Sequence, residues 1–116
     1  MEKKTIRISR IIGSPICVAV EDGQKVFDIL HRAILDDVQF EVSFEGVDLI
    51  ISAFLNIAIG QLYGEFEEAK IDRMLSYTHL ADDDKELLRL VVANAQRYYG
   101  NRENYDKATQ EVLEYV

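Results

Sequence analysis

Apolar and polar positions alternate over the first stretch of this chain. From Thr5 to Ile12, Ile6 and Ile8 fall on one side and Arg7 and Ser9 on the other, the period-two spacing of a half-buried strand. Ile11 and Ile12 break the alternation. Gly13-Ser14-Pro15 is turn chemistry, and the branched run Ile16 to Val20 then predicts a second strand, paired to the first as an antiparallel hairpin. Asp22 is placed to cap a helix whose one face carries Val26, Ile29, Leu30, Ala33 and Ile34 at helical spacing. After Asp36-Asp37, the residues Val38, Phe40, Val42 and Phe44 alternate with Gln39, Glu41, Ser43 and Glu45, which predicts a third strand with one dry and one solvated face, ended by Gly46.

Ser52 stands where an apolar strand turns into an apolar helix running to about Phe66, and its hydroxyl is the natural N-cap for a backbone N–H of the first turn. Phe54, Leu55, Ile57, Ala58, Ile59, Leu62, Tyr63 and Phe66 wrap most of that helix, so an element beyond the sheet must cover it. One stripe carries Ala53, Ile57, Gly60 and Gly64. Each glycine inside a helix costs about 1 kcal/mol relative to alanine, so the stripe predicts close approach of another backbone, either the sheet or a second protein. Arg73 to Leu80 is a candidate fourth strand. Asp83 and Glu86 form a capping-box-like pair for a helix bearing Leu87, Leu88, Val91, Val92, Ala95 and Tyr99 and ending before Gly100. A last helix near Asp106 to Tyr115 would bury Ala108, Val112 and Leu113.

The predicted order is thus β-β-α-β-α-β-α-α, an α/β (α+β) fold with a mixed four-stranded sheet and helices packed on it. We expect one domain over residues 1–116, with its core at about 5–100 and a helical extension at 101–116.

Charge changes the functional picture. Thirteen basic residues against 21 acidic ones leave a net charge of -8, which repels phosphate backbones and anionic lipid surfaces. No nucleic-acid partner is expected. The early cluster Lys3, Lys4, Arg7 and Arg10 alternates with isoleucines and reads as the wet side of a strand. Cys17 is the single cysteine, so an internal disulfide and a four-cysteine zinc site are both excluded, as a reducing cytoplasm would favour. No apolar h-region follows the N-terminal lysines, and the run from Leu49 to Gly60 is too short for a membrane span. We therefore expect a soluble cytoplasmic protein without a membrane partner.

The stretch VSFEGVDLIISAFLNIAIGQLYGEF, Val42 to Phe66, resembles the STAS-like domain family of unknown function, in which a strand, a glycine-valine pair and an SxFLN helix start recur. The order of elements from about Ile6 to Tyr99 is similar to the STAS fold of bacterial anti-anti-sigma factors. That resemblance implies a regulatory binding domain. In those factors the corresponding loop carries an Asp-Ser pair, and a kinase with a histidine-kinase-type ATPase fold phosphorylates the serine to dissociate the complex. Ser52 matches the serine. Ile51 replaces the aspartate and Ala53 stands where a second serine is usual, so the binding role of the loop is what carries over.

Read from its own neighbours, Ser52 is a cap, a modification site or a partner contact. Catalysis by it lacks a base nearby in sequence and the flanking glycines of a nucleophile elbow, whose places hold Ile50 and Phe54. His31 and His79 lie on different elements without ligand spacing, and Asp82-Asp83-Asp84 opposes a helix dipole, so no metal site is expected. Glu41, Ser43 and Glu45 read as a solvated sheet face, and no phosphate-binding glycine loop is present. Tyr98, Tyr99, Tyr105 and Tyr115 read as packing of the terminal helices.

These expectations converge on a non-enzymatic protein-protein interaction module without a cofactor. Its partner surface is Ile50, Ile51, Ser52, Ala53, Asn56, Ile57, Gly60 and Gly64, and its partner is a histidine-kinase-type ATPase or an identical chain. The alternative is a small-molecule sensor that holds a nucleotide or anion at the Ser52 helix start, where free N–H groups favour negative charge.

Overall fold

A computed structural model describes the backbone of residues 3–114 and the side chains of residues 3–100. The first strand, β1, is Lys4–Arg7, shorter than predicted, because the chain coils at once into a short helix, α1, at Ile8–Ile12. Ile11 and Ile12, which broke the alternation, belong to that helix. Gly13 closes it at φ 69°, with its N–H donated to the carbonyl of Ser9. Only glycine adopts that left-handed conformation without steric cost. The Gly-Ser-Pro signal therefore ends a helix, and the predicted hairpin is replaced by parallel pairing.

The second strand, β2, is only Ile16–Cys17 and leads into α2 at Val20–Leu35, followed by β3 at Phe40–Ser43 and β4 at Leu49–Ile50. Next come α3 at Ser52–Ala58, a 3-10 segment at Gly60–Gly64, α4 at Glu68–Met74, β5 at Leu75–Thr78 and α5 at Asp82–Glu114. The fold is α/β as expected, but the mixed four-stranded sheet is not what forms. Among the described residues a three-stranded parallel sheet has the order β1-β3-β5, and a separate parallel pair joins β2 to β4. The same two chain segments meet twice. Lys4 to Arg7 pair with Phe40 to Ser43, α1 then interrupts the ladder, and Ile16 and Cys17 resume it against Leu49 and Ile50.

Parallel neighbours need crossover connections, and α2 and the α3–α4 region supply them. On α2, Val26, Leu30, Ala33 and Ile34 are buried as their spacing predicts, whereas Ile29 is exposed. The helix starts at Val20 with Ala19 as N-cap, so Asp22 does not cap it but joins Glu21 in the first turn, opposing the helix dipole. Gly23 is buried because α3 crosses there. A β-carbon on it would stand 3.2 Å from Ile57 Cβ and from the carbonyl oxygen of Phe54.

The long helix predicted to Phe66 instead ends at Ala58 and tightens into the 3-10 segment. Phe54, Leu55, Ala58, Ile59 and Leu62 are fully buried at the centre of the core. Their expected cover comes from the same chain: α2 packs on one side, and α5 crosses α3 and the 3-10 segment on the other.

Helix α4 was not expected. Its Ile71 and Met74 enter the core, and strand β5 consequently begins at Leu75 instead of Arg73. Helix α5 starts at Asp82 and continues through Gly100 to Glu114, so the predicted stop at Gly100 does not occur. The capping box of Asp83 and Glu86 does not form, because the helix already begins at Asp82 and Asp83 lies within its first turn, while Glu86 pairs with Arg89. The predicted burial of Ala108, Val112 and Leu113 lies outside the described residues, as do the side chains of Tyr105 and Tyr115. Among the described residues no helix is long and apolar enough to cross a membrane.

Candidate functional site

The switch from strand to helix at Ser52 occurs one residue earlier than the cap reading requires. Ile51 still donates its N–H to the carbonyl of Cys17 at 3.3 Å, which holds it in extended conformation at φ -115° and ψ 159°. Ile51 is therefore the N-cap position, with no side-chain cap, and Ser52 is the first helical residue with its side chain in solvent. The expected capping role of Ser52 is corrected accordingly.

The predicted partner surface divides into two groups. Ile51, Ser52, Ala53 and Asn56 are exposed around the start of α3. Ile50 faces the core, Ile57 is half-buried against Gly23, Gly60 is buried within ordinary contact of Val91 and Ala95, and Gly64 lies beneath the ring of Tyr99. The close approaches anticipated at this stripe are thus made by helices of the same chain.

Beside Ile51 the structure assembles an apolar patch that the sequence reading missed. In the β2–β4 pair, Cys17 and Ile50 point inward at 0 % and 6 % exposure. Side chains alternate across a strand, so their neighbours point outward: Ile16 is 39 % exposed, Val18 40 %, Leu49 50 % and Ile51 37 %, with Val20 beyond them at 57 %. Asp48 and Glu21, next in sequence to Leu49 and Val20, are exposed as well. Because both faces of the two short strands are apolar, no alternation marks which side is wet. On the inner side, burial, with smaller effects of Asp22 and Asp84, pushes the Cys17 thiol up to about 11, so it is uncharged and unreactive at neutral pH.

A second cluster gathers where β1, β3 and β5 end together. Ser43, expected on a solvated face, is 3 % exposed because β3 is the central strand. Its hydroxyl oxygen accepts the N–H of Glu45 at 3.3 Å and lies 3.3 Å from His79 Nδ1, which is also 3.3 Å from Thr78 Oγ1. Arg7 Nε sits 3.9 Å from the Glu45 carboxylate, and Ser9 donates its hydroxyl to the Glu45 carbonyl at 3.0 Å. His79 holds φ 58°, a conformation that side-chain-bearing residues seldom take. Although Ser43 and His79 have the distance of a nucleophile and a base, the serine is buried in the ladder and already occupied by a backbone N–H. Its contact fixes the left-handed turn after β5. His31, the other histidine, lies between Phe27 and Phe66, with ring centroids 5.4 and 5.1 Å away. Among the described residues no group of three or more His, Cys, Asp or Glu side chains could hold a metal ion.

A family model described as a STAS-like domain of unknown function (DUF4325) matches residues 22–85, from the first turn of α2 to the first turn of α5. No curated protein and no solved structure matches the chain.

Proposed function

This chain belongs to the STAS-like domain family of unknown function, and from that premise we propose that it is a non-enzymatic regulatory module that works by docking another protein. The observation that carries the reading is the outward face of β2–β4, where Ile16, Val18, Leu49 and Ile51 stand side by side in water although Cys17 and Ile50 between them are buried. Contiguous exposed apolar side chains ringed by polar groups are a signature of interaction surfaces. The flanking Glu21 and Asp48, within a chain of net charge -8, favour a partner whose own apolar surface is bordered by basic groups.

The partner class we propose is a histidine-kinase-type ATPase, as the resemblance of the Ser52 loop implies. Ser52 adjoins Ile51 at the edge of the patch and is exposed. Phosphorylation there would add close to two negative charges beside the apolar face, which disfavours docking of an apolar surface. The alternative of anion or nucleotide sensing at the same helix start draws less support, because residues 47–60 contain neither lysine nor arginine.

Calorimetric titration of the full chain with purified histidine-kinase-type ATPases tests the proposal. Leu49→Glu and Val18→Glu are expected to weaken binding at least tenfold, and Ser52→Glu to weaken it far more than Ser52→Ala. Unchanged affinity in both patch variants would overturn the docking surface. Self-association of the free chain that Leu49→Glu abolishes would reassign the face to a homodimer.

A further inference from the structure

We propose that the groove between β5, α4 and the first half of α5 is a binding site for a small, uncharged, largely apolar molecule whose hydrogen-bond-acceptor oxygen is received by the Tyr77 hydroxyl. The groove has a volume of about 470 Å³, within the usual range of small-molecule sites. Leu80, Leu88, Val92 and Ala93 give it an apolar wall, and Tyr63 and Tyr77 line it as well. Tyr77 stands on the core side of β5, where its ring packs on Phe44 at 6.4 Å between centroids. Its hydroxyl oxygen is buried and has no hydrogen-bond partner among the described residues.

Buried polar groups in folded proteins are nearly always paired, so an unpaired buried hydroxyl on a residue that lines an apolar groove asks for an acceptor from outside. Burial raises the pKa of Tyr77 well above the ordinary phenol value, with smaller effects of Tyr63 and Asp72, so at neutral pH the group is a donor. Tyr63 is likewise pushed up to about 12, first by burial and then by Asp72 and Glu68. The charged rim gives no reason for a charged ligand. Lys85 faces Asp82 at 3.8 Å, Arg89 is held by Glu86, and Asp72 repels anions. The inference does not rest on the docking reading, since it uses different residues.

The test is a titration of the full chain, with methyl-labelled Leu and Val, by acetophenone and by ethylbenzene, which has nearly the same shape but no carbonyl. Acetophenone should shift the methyl resonances of Leu80, Leu88 and Val92 and leave those of Leu30 and Val26 unmoved. Tyr77→Phe should weaken acetophenone by about 3- to 10-fold, the size of one net hydrogen bond, and leave ethylbenzene unchanged. Ala93→Leu, which fills the groove, should abolish both. The proposal is overturned if neither probe shifts these methyls, if the two bind wild type equally well, or if Tyr77→Phe affects them alike. Should Tyr77→Phe not fold, the wild-type comparison and Ala93→Leu decide the matter.

Discussion

The ring of Tyr99 on α5 lies directly over Gly64 in the 3-10 segment, so that a β-carbon on residue 64 would collide with its Cδ1, Cε1 and Cζ. This contact is one of those that pin α5 across the central core. Gly64→Ala should destabilise the fold by about 1–3 kcal/mol, the usual cost of overpacking. Placing the same change in a Tyr99→Ala background should remove most of that increment, and a double-mutant cycle by urea unfolding reads the coupling directly. Additive effects would mean that the cost at residue 64 does not arise from the Tyr99 ring.

Gly23 makes the less yielding demand, because one of the atoms facing it is the backbone oxygen of Phe54, at 3.2 Å from an added β-carbon. Backbone cannot move aside as a side chain can. Gly23→Ala is expected to cost about 1–3 kcal/mol and, unlike Gly64→Ala, to retain much of that cost when the side chain opposite is trimmed by Ile57→Ala. Urea midpoints of the three variants check the difference.

The alkaline limb of stability follows from three acids whose pKa burial raises, Cys17, Tyr63 and, beyond the other two, Tyr77. Cys17 is pushed from 9.0 to about 11 and Tyr63 from 10.0 to about 12, in both cases chiefly by burial. A folded-state pKa above the unfolded one means that the unfolded chain releases its proton first. The associated stability is complete below the unfolded value and is lost as pH rises through the folded one. Unfolding midpoints should therefore hold steady near neutrality and fall between about pH 9 and pH 12. Cys17→Ala should flatten the lower part of that decline.

Ser52→Ala separates a cap from an exposed first-turn residue. Loss of a true N-cap costs about 1 kcal/mol, but Ile51 holds the cap position here. Ser52→Ala should change stability by no more than about 0.5 kcal/mol. Ser52→Glu should match or slightly exceed wild type, because a carboxylate is favoured at a helix N-terminus. A loss near 1 kcal/mol in the alanine variant would restore the capping role.

Elements long enough to repeat their pattern were readable from sequence. The face of α2 repeats through Val26, Leu30, Ala33 and Ile34, and β3 alternates through Val42 and Phe44. Pairing direction was not, because it is decided by contacts far apart in the chain, and Gly13-Ser14 serves a helix stop as well as a hairpin. Helix α4 offers only Ile71 and Met74, too few residues to show a period. At the candidate site, Ser52 and Ile51 were singled out from local sequence, but Ile16, Val18 and Leu49 become their neighbours only through the β2–β4 pairing. The unpaired hydroxyl of Tyr77 likewise depends on where α5 comes to lie.

Every pairing in the three-stranded sheet is parallel, and opposed residues such as Thr5 and Glu41 stand 36 positions apart. No strand of this sheet can find a neighbour by folding back locally, so a growing polypeptide gains no sheet until β3 has left the ribosome. Helix α2, already made by then, is the one long amphipathic element available to shelter the waiting Ile6 of β1 and Ile8 of α1. Assembly should accordingly be slow relative to a helical bundle of equal size, with its apolar segments open to aggregation until β5 is added.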